Sequence, residues 1–133
     1  MKAFKLKIVT PKGIYKEADI EMLNLRTTSG QIGILANHLP LASAIDISEM
    51  NYIEDGERKH YAIAGGFVYV GEHETTIIAN AIESPEEIDV NRALEAKQRA
   101  EKRLEKNDED TDILRAEMSL RKAIMRIRVK NGE

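Results

Sequence analysis

The chain has 133 residues, no cysteine and no tryptophan, with 42% hydrophobic, 5% aromatic and 32% charged residues and a formal net charge of −3. That length fits one domain, or a small domain with an appendage; a disulfide frame, thiol chemistry and thiolate metal sites are excluded, and so small a net charge does not by itself point to nucleic acid. The charge is also uneven: residues 1–88 hold 8 basic and 13 acidic side chains, whereas residues 89–133 hold 12 and 10, so the two parts of the chain are expected to face different tasks.

The first residues, MKAFKLKIVTPKG, alternate apolar and polar side chains instead of running apolar as a signal peptide does. No uninterrupted apolar stretch approaches the roughly 18 residues of a membrane span. Membrane contact is therefore expected only through another subunit.

From Phe4 to about Asn80 the pattern has the period of two that half-buried strands require. Phe4, Leu6 and Ile8 alternate with Lys5 and Lys7, and Thr10-Pro11-Lys12-Gly13 turns the chain into Ile14-Tyr15-Lys16. Ile20, Met22 and Asn24 are assigned to one strand face, Leu23 and Leu25 to the other. Ser29-Gly30-Gln31 leads into Ile32-Gly33-Ile34-Leu35. Three further strands are expected at Tyr61–Ala64, Phe67–Val70 and Thr76–Ala79, with turns at Asp55-Gly56 and Gly71-Glu72-His73 and, at Gly65-Gly66, a turn signal that serves either a tight turn or a close backbone approach. Short strands with turns at close intervals indicate a sandwich or barrel.

The pattern changes at Ser84. Ser84-Pro85-Glu86-Glu87 has the form of a capping box with Pro in the first turn, and Asp89 is a second candidate cap. Strong helix formers then run to Lys106. Asn107-Asp108-Glu109-Asp110 reverses the chain, and Thr111 or Asp112 can cap a second helix continuing to about Val129. The expected fold is α+β: an N-terminal β-sandwich or barrel over 1–84, then a C-terminal antiparallel two-helix hairpin over 85–133.

On a helical wheel Val90, Ala93, Ala96, Ala100 and Leu104 form one narrow stripe, and Ile113, Ala116, Leu120, Ala123 and Ile127, with Ile124 beside them, form its counterpart. Alanine seams bury little area, so the hairpin should be weakly held and able to rearrange. A second stripe on the second helix (Leu114, Met118, Met125, Val129) calls for another neighbour, either the β-domain or a different protein. Arg92, Arg99 and Arg103 form a basic line on the first helix, and Arg115, Lys122 and Arg126 form one on the second. Both lines fall on the same side of an antiparallel pair, and like charges held together repel. A phosphate-bearing ligand or an acidic partner loop would relieve them, as would solvent with Glu95 and Glu117.

Signals for catalysis are sparse. His38, His60 and His73 lack metal-ligand spacing, and there is no phosphate-binding glycine loop of the nucleotide-fold types. The chain is not expected to be an enzyme. The alternative kept open is a small β-domain enzyme or stand-alone binding module with an anion-binding helical hairpin; nucleic acid is disfavoured by the acidic β-domain and scarce aromatics.

The segment Ser29-Gly30-Gln31-Ile32-Gly33-Ile34-Leu35-Ala36-Asn37-His38-Leu39-Pro40-Leu41 closely resembles a hallmark of the epsilon subunit of bacterial F-type ATP synthases, with Ala36-Asn37 where Pro-Gly is common. Gly65-Gly66-Phe67-Val68-Tyr69-Val70 resembles a second, and the Ala- and Arg-rich hairpin a third, so the likeness spans about Phe4 to Val129. It implies a non-catalytic central-stalk (rotor) subunit of the proton-translocating enzyme, peripheral on the cytoplasmic face of the bacterial plasma membrane. The sandwich would pack on the gamma subunit and rest on the c-ring, with Gln31 and His38 near that ring. The hairpin would fold down beside the sandwich, or extend along gamma toward the alpha and beta subunits and block ATP hydrolysis, with Arg115, Met118, Lys122 and Met125 as partner contacts. Ile88-Asp89-Val90-Asn91-Arg92-Ala93 also looks like the ATP motif of Bacillus-type epsilon subunits. By that resemblance Glu83, Ile88, Asp89, Arg92, Ala93, Arg99, Lys122 and Arg126 would form a site for ATP as a regulatory ligand, with no cofactor required. Lys122 stands where the family carries Arg, a point charge in place of a planar fork.

Overall fold

The computed structural model describes residues 2–106, 109 and 111–133. The chain divides into two compact units, Met1–Ile82 and Glu83–Glu133.

The first unit begins with β1 (Phe4–Thr10), β2 (Gly13–Ile20), β3 (Met22–Thr27) and β4 (Gly30–Ile34), followed by the two long strands β5 (Leu41–Glu54) and β6 (Glu57–Val70), then β7 (Glu74–Ala79). These pair in the order β2-β1-β7-β6-β5-β3-β4, with the two-residue β8 (Ile82–Glu83) pairing β6 off that path. The pairings are antiparallel except for β1 with β7. The sheet doubles over as a β-sandwich whose core takes residues from every strand, among them Leu6, Ile8, Ile20, Leu23, Leu25, Ile34, Met50, Tyr52, Ile63, Val68 and Ile77.

Alternation explains which side chains enter that core. In β1, Leu6 and Ile8 are fully buried while Lys5 points out. In β6, Val68 and Val70 point in while Phe67 and Tyr69 stay about half exposed, stacked with centroids 6.2 Å apart. In β3 the core face is Leu23 and Leu25, with Met22 and Asn24 only partly covered; Ile20 belongs to β2, so it does not share a strand with Met22. Each aliphatic side chain buried in this way contributes about 1.5–3 kcal/mol relative to an exposed one. The one large polar pair in this core satisfies itself: the Tyr52 and Tyr61 hydroxyls lie 2.7 Å apart, the rings stack, and Tyr15 meets Tyr61 edge-on. Burial first, then the Tyr61 hydroxyl, pushes the Tyr52 hydroxyl far above the usual phenol range, so it remains protonated.

Two expectations are corrected here. The strand β5, 14 residues long, occupies a stretch where no separate strand was assigned. Of the two readings of Gly65-Gly66, the turn fails, since β6 runs continuously through it, and the close backbone approach holds. Both glycines take positive φ, 87° and 144°, and a Cβ on Gly66 would stand 2.0 Å from the Ile78 carbonyl oxygen. The glycines let β6 bend and approach β7 closely, which any side chain would prevent.

The second unit holds α1 (Val90–Lys106) and α2 (Ile113–Asn131). Of the two candidate starts for α1, Asp89 is the cap, its Oδ1 accepting from the Asn91 and Arg92 amides at 3.1 and 3.2 Å. Ser84–Glu87 instead closes a separate turn: Glu87 N donates to Ser84 O, and Ser84 N donates to Glu87 Oε1. Asp112 caps α2 through the Arg115 amide at 3.0 Å, and left-handed Gly132 ends it two residues beyond the expected Val129, with the Gly132 and Glu133 amides donating to Val129 O and Arg128 O. Of the expected reversal, Asn107, Asp108 and Asp110 lie outside the described residues. Asp112→Ala is expected to cost the helical unit about 1 kcal/mol. Thermal melts followed by circular dichroism check this, and an unaltered helical transition would assign the capping to Thr111 instead.

Among the described residues no helix is long and apolar enough to cross a membrane.

Candidate functional site

The site is built on the second unit, and its framework is the helix seam. The buried seam positions are Ala93 and Ala100 on α1 and Ala116 and Ala123 on α2, each at most 2% exposed and spaced by seven on both helices. Seven-residue spacing keeps one face toward the partner helix, and a methyl group at each position allows close approach. Val90, Ala96, Leu104, Leu120 and Ile127 are half-buried around them. Ile113, expected in the seam, is 43% exposed in the first turn of α2. On the second stripe Val129 is buried and Met125 half-buried, whereas Leu114 and Met118 are exposed.

The cations are displaced from this seam. Arg92, Arg99 and Arg103 on α1 and Arg115 and Lys122 on α2 are exposed. Among the described residues none of the five forms an ion pair. Arg126 differs: half-buried, it takes both oxygens of Glu83, with Nε donating to Oε1 at 2.7 Å and a terminal nitrogen to Oε2 at 3.3 Å. A planar guanidinium on a carboxylate makes this fork, which an ammonium cannot. One turn further on, Lys130 Nζ donates to the Pro85 carbonyl at 2.9 Å.

The structure thus brings Glu83 and Arg126 together, and it sets Asp89 against the backbone of Arg92. Ile88 and Ala93 lie next to these residues in sequence, but their side chains are buried, at 3% and 0% exposed. Among the described residues Arg99 and Lys122 form no ion pair with the others. The chemistry offered is a set of unneutralised cations beside one engaged arginine, suited to an anion with several charged oxygens. Sequence periodicity missed Lys130, although its position four residues after Arg126 puts both on one face of α2.

In the first unit, Gln31 is exposed on β4. His38 is half-buried in the loop after that strand; its Nδ1 donates to Leu39 O at 2.6 Å, and its amide donates to Leu35 O at 3.2 Å. Asn37 takes the left-handed conformation in this loop, at φ 66°. Leu35 and Leu39 are 47% and 81% exposed, an apolar tip open to a partner.

Two family models match the chain: the ATP synthase delta/epsilon chain beta-sandwich domain at residues 3–85, and the delta/epsilon chain long alpha-helix domain at residues 86–131. The ATP synthase epsilon chain of Bacillus velezensis is 46% identical over 129 residues, covering 97% of this chain and 98% of that one. That of Clostridium novyi is 47% identical over 127 residues, covering 95% and 96%. The fold is similar to that of a chain in the mitochondrial ATP synthase of Euglena gracilis, with a TM-score of 0.79 at 22% identity over 91% of this chain and 77% of that one.

Proposed function

The chain belongs to the ATP synthase delta/epsilon chain family, and from that membership we propose that it is a non-catalytic central-stalk subunit whose helical hairpin regulates ATP hydrolysis. The sandwich packs on the gamma subunit and, through the Gln31 and His38 region, on the c-ring, coupling rotation to the catalytic core. It is peripheral on the cytoplasmic face of the membrane and reaches the bilayer only through the complex. In its folded state the hairpin leaves hydrolysis free. Extended along gamma toward the alpha and beta subunits, it inhibits, with Arg115, Met118, Lys122 and Met125 facing new neighbours. ATP binds the folded hairpin more tightly and so shifts the population toward it.

The observation that carries this reading is the four-alanine seam beside exposed cations, Arg92, Arg99, Arg103, Arg115 and Lys122, that form no ion pair among the described residues. Four buried methyl groups at about 0.8 kcal/mol each contribute only roughly 3 kcal/mol, to which the half-buried Val90, Leu104, Leu120 and Ile127 add a part. A ligand present at a hundred times its Kd contributes about 2.7 kcal/mol to the state it binds. A term of that size tips two states that differ by a few kcal/mol, and a seam centred on alanines keeps the difference small. A well-packed leucine seam would overwhelm it.

Calorimetry of the isolated subunit with ATP tests the ligand. The wild type is expected to release heat, and Arg92→Ala or Arg126→Ala to weaken binding about tenfold or more, as loss of a charged hydrogen-bond donor does. Absence of heat from the wild type at millimolar ATP would remove ATP from the account.

A further inference from the structure

We propose that Arg126 and Lys130 form a clasp on the segment 83–87, and that its release, ahead of any parting of the alanine seam, is the first step in opening the hairpin. The proposal rests on the reading of the hairpin as a two-state element and names where that element gives way.

A helical hairpin has one end tied by its connecting chain and one end free. Here the free end holds the start of α1 and the last turns of α2, and nothing covalent joins them. Two side chains do so instead, across 43 and 45 residues of sequence: Arg126 on the Glu83 carboxylate, and Lys130 on the Pro85 carbonyl. The segment they grip is itself stiff, with Pro85 at its centre, Ser84 and Glu87 closing a turn around it, and Asp89 capping the helix that follows. Inside the clasp the most deeply buried positions of the seam are alanines, Ala93 and Ala123 nearest to it, with Val90 and Ile127 half-buried beside them and Val129 buried in the last turn of α2. Helices fray from their ends, so the last two turns of α2 lift as soon as the clasp opens, whereas the middle of the seam has contacts on both sides. Arg126 serves both the clasp and the basic line, but Lys130 serves the clasp alone.

The test is amide hydrogen exchange on the full chain without nucleotide or partner, comparing the wild type with Lys130→Met, which keeps the stem and removes the donor. Amides in Ala123–Val129 are expected to exchange about threefold faster, the change that follows loss of one hydrogen bond at an exposed site. Those in the middle of α1 and in the sandwich should keep their rates, and Lys130→Arg should restore protection. Unchanged exchange in the last two turns, or equal acceleration along both helices, overturns the clasp. Because neither ATP nor the complex is present, that result is separate from a failure of nucleotide binding or of inhibition, which calorimetry and the reconstituted enzyme report.

Discussion

Ending the chain at Ser84 is expected to raise ATP hydrolysis by the reconstituted complex at least about fivefold at low nucleotide, the lower end of ordinary coupling between sites. The shortened protein should still fold, because its core cluster lies entirely within Leu6–Ile82. It should also still bind the gamma subunit, which a pull-down verifies before any rate is compared. Activation by ATP should vanish with the helices, since the cations that would bind the nucleotide lie on α1 and α2. If the truncated and complete chains support equal hydrolysis and equal response to ATP while both bind gamma, the helices have no inhibitory role.

Much of the fold was legible because local chemistry and tertiary structure agree. Leu6 and Ile8 alternate cleanly with lysines, and Asp89, Asp112 and Gly132 mark the helix ends by side chain and conformation. The failures are instructive. β5 escaped separate assignment because Asp46, Ser48, Glu49 and Asn51 interrupt its alternation; a strand that pairs on both sides and shifts register against β3 can carry polar residues at such places. Gly65-Gly66 allows either a turn or a close backbone approach by sequence, and the neighbouring strand decides for the approach, because the space a Cβ would need is filled by β7 backbone. For the candidate site, periodicity supplied the basic lines, whose spacing is local. It could not supply the Glu83–Arg126 fork, since no helical or strand period connects residues so far apart in sequence; family resemblance was the signal that included Glu83. Lys130 had only its place four residues after Arg126, on the same face of α2.

Gly66→Ala is expected to be the most destabilising single substitution in the sandwich, at about 3 kcal/mol or more. The added Cβ would lie 2.0 Å from the Ile78 carbonyl oxygen and 3.0 Å from the Ala79 Cα, both backbone atoms that no rotamer change can move. Gly66 is paired on both sides, to Ile45 and to Ala79, so relief requires shifting three strands together. At roughly 4–8 °C per kcal/mol for a domain of this size, the melting temperature should fall by about 12 °C or more. Gly56→Ala is the control. Gly56 also has a positive φ, 77°, but nothing lies within 4 Å of its Cβ position, so its cost is backbone strain alone, about 1–2 kcal/mol. Equal melting temperatures for the two variants would show that Gly66 is needed for its backbone angle and not for the approach of β7. A large difference would give Gly65-Gly66-Phe67-Val68-Tyr69-Val70 a physical reason independent of any partner: the sandwich closes only where β6 carries no side chain.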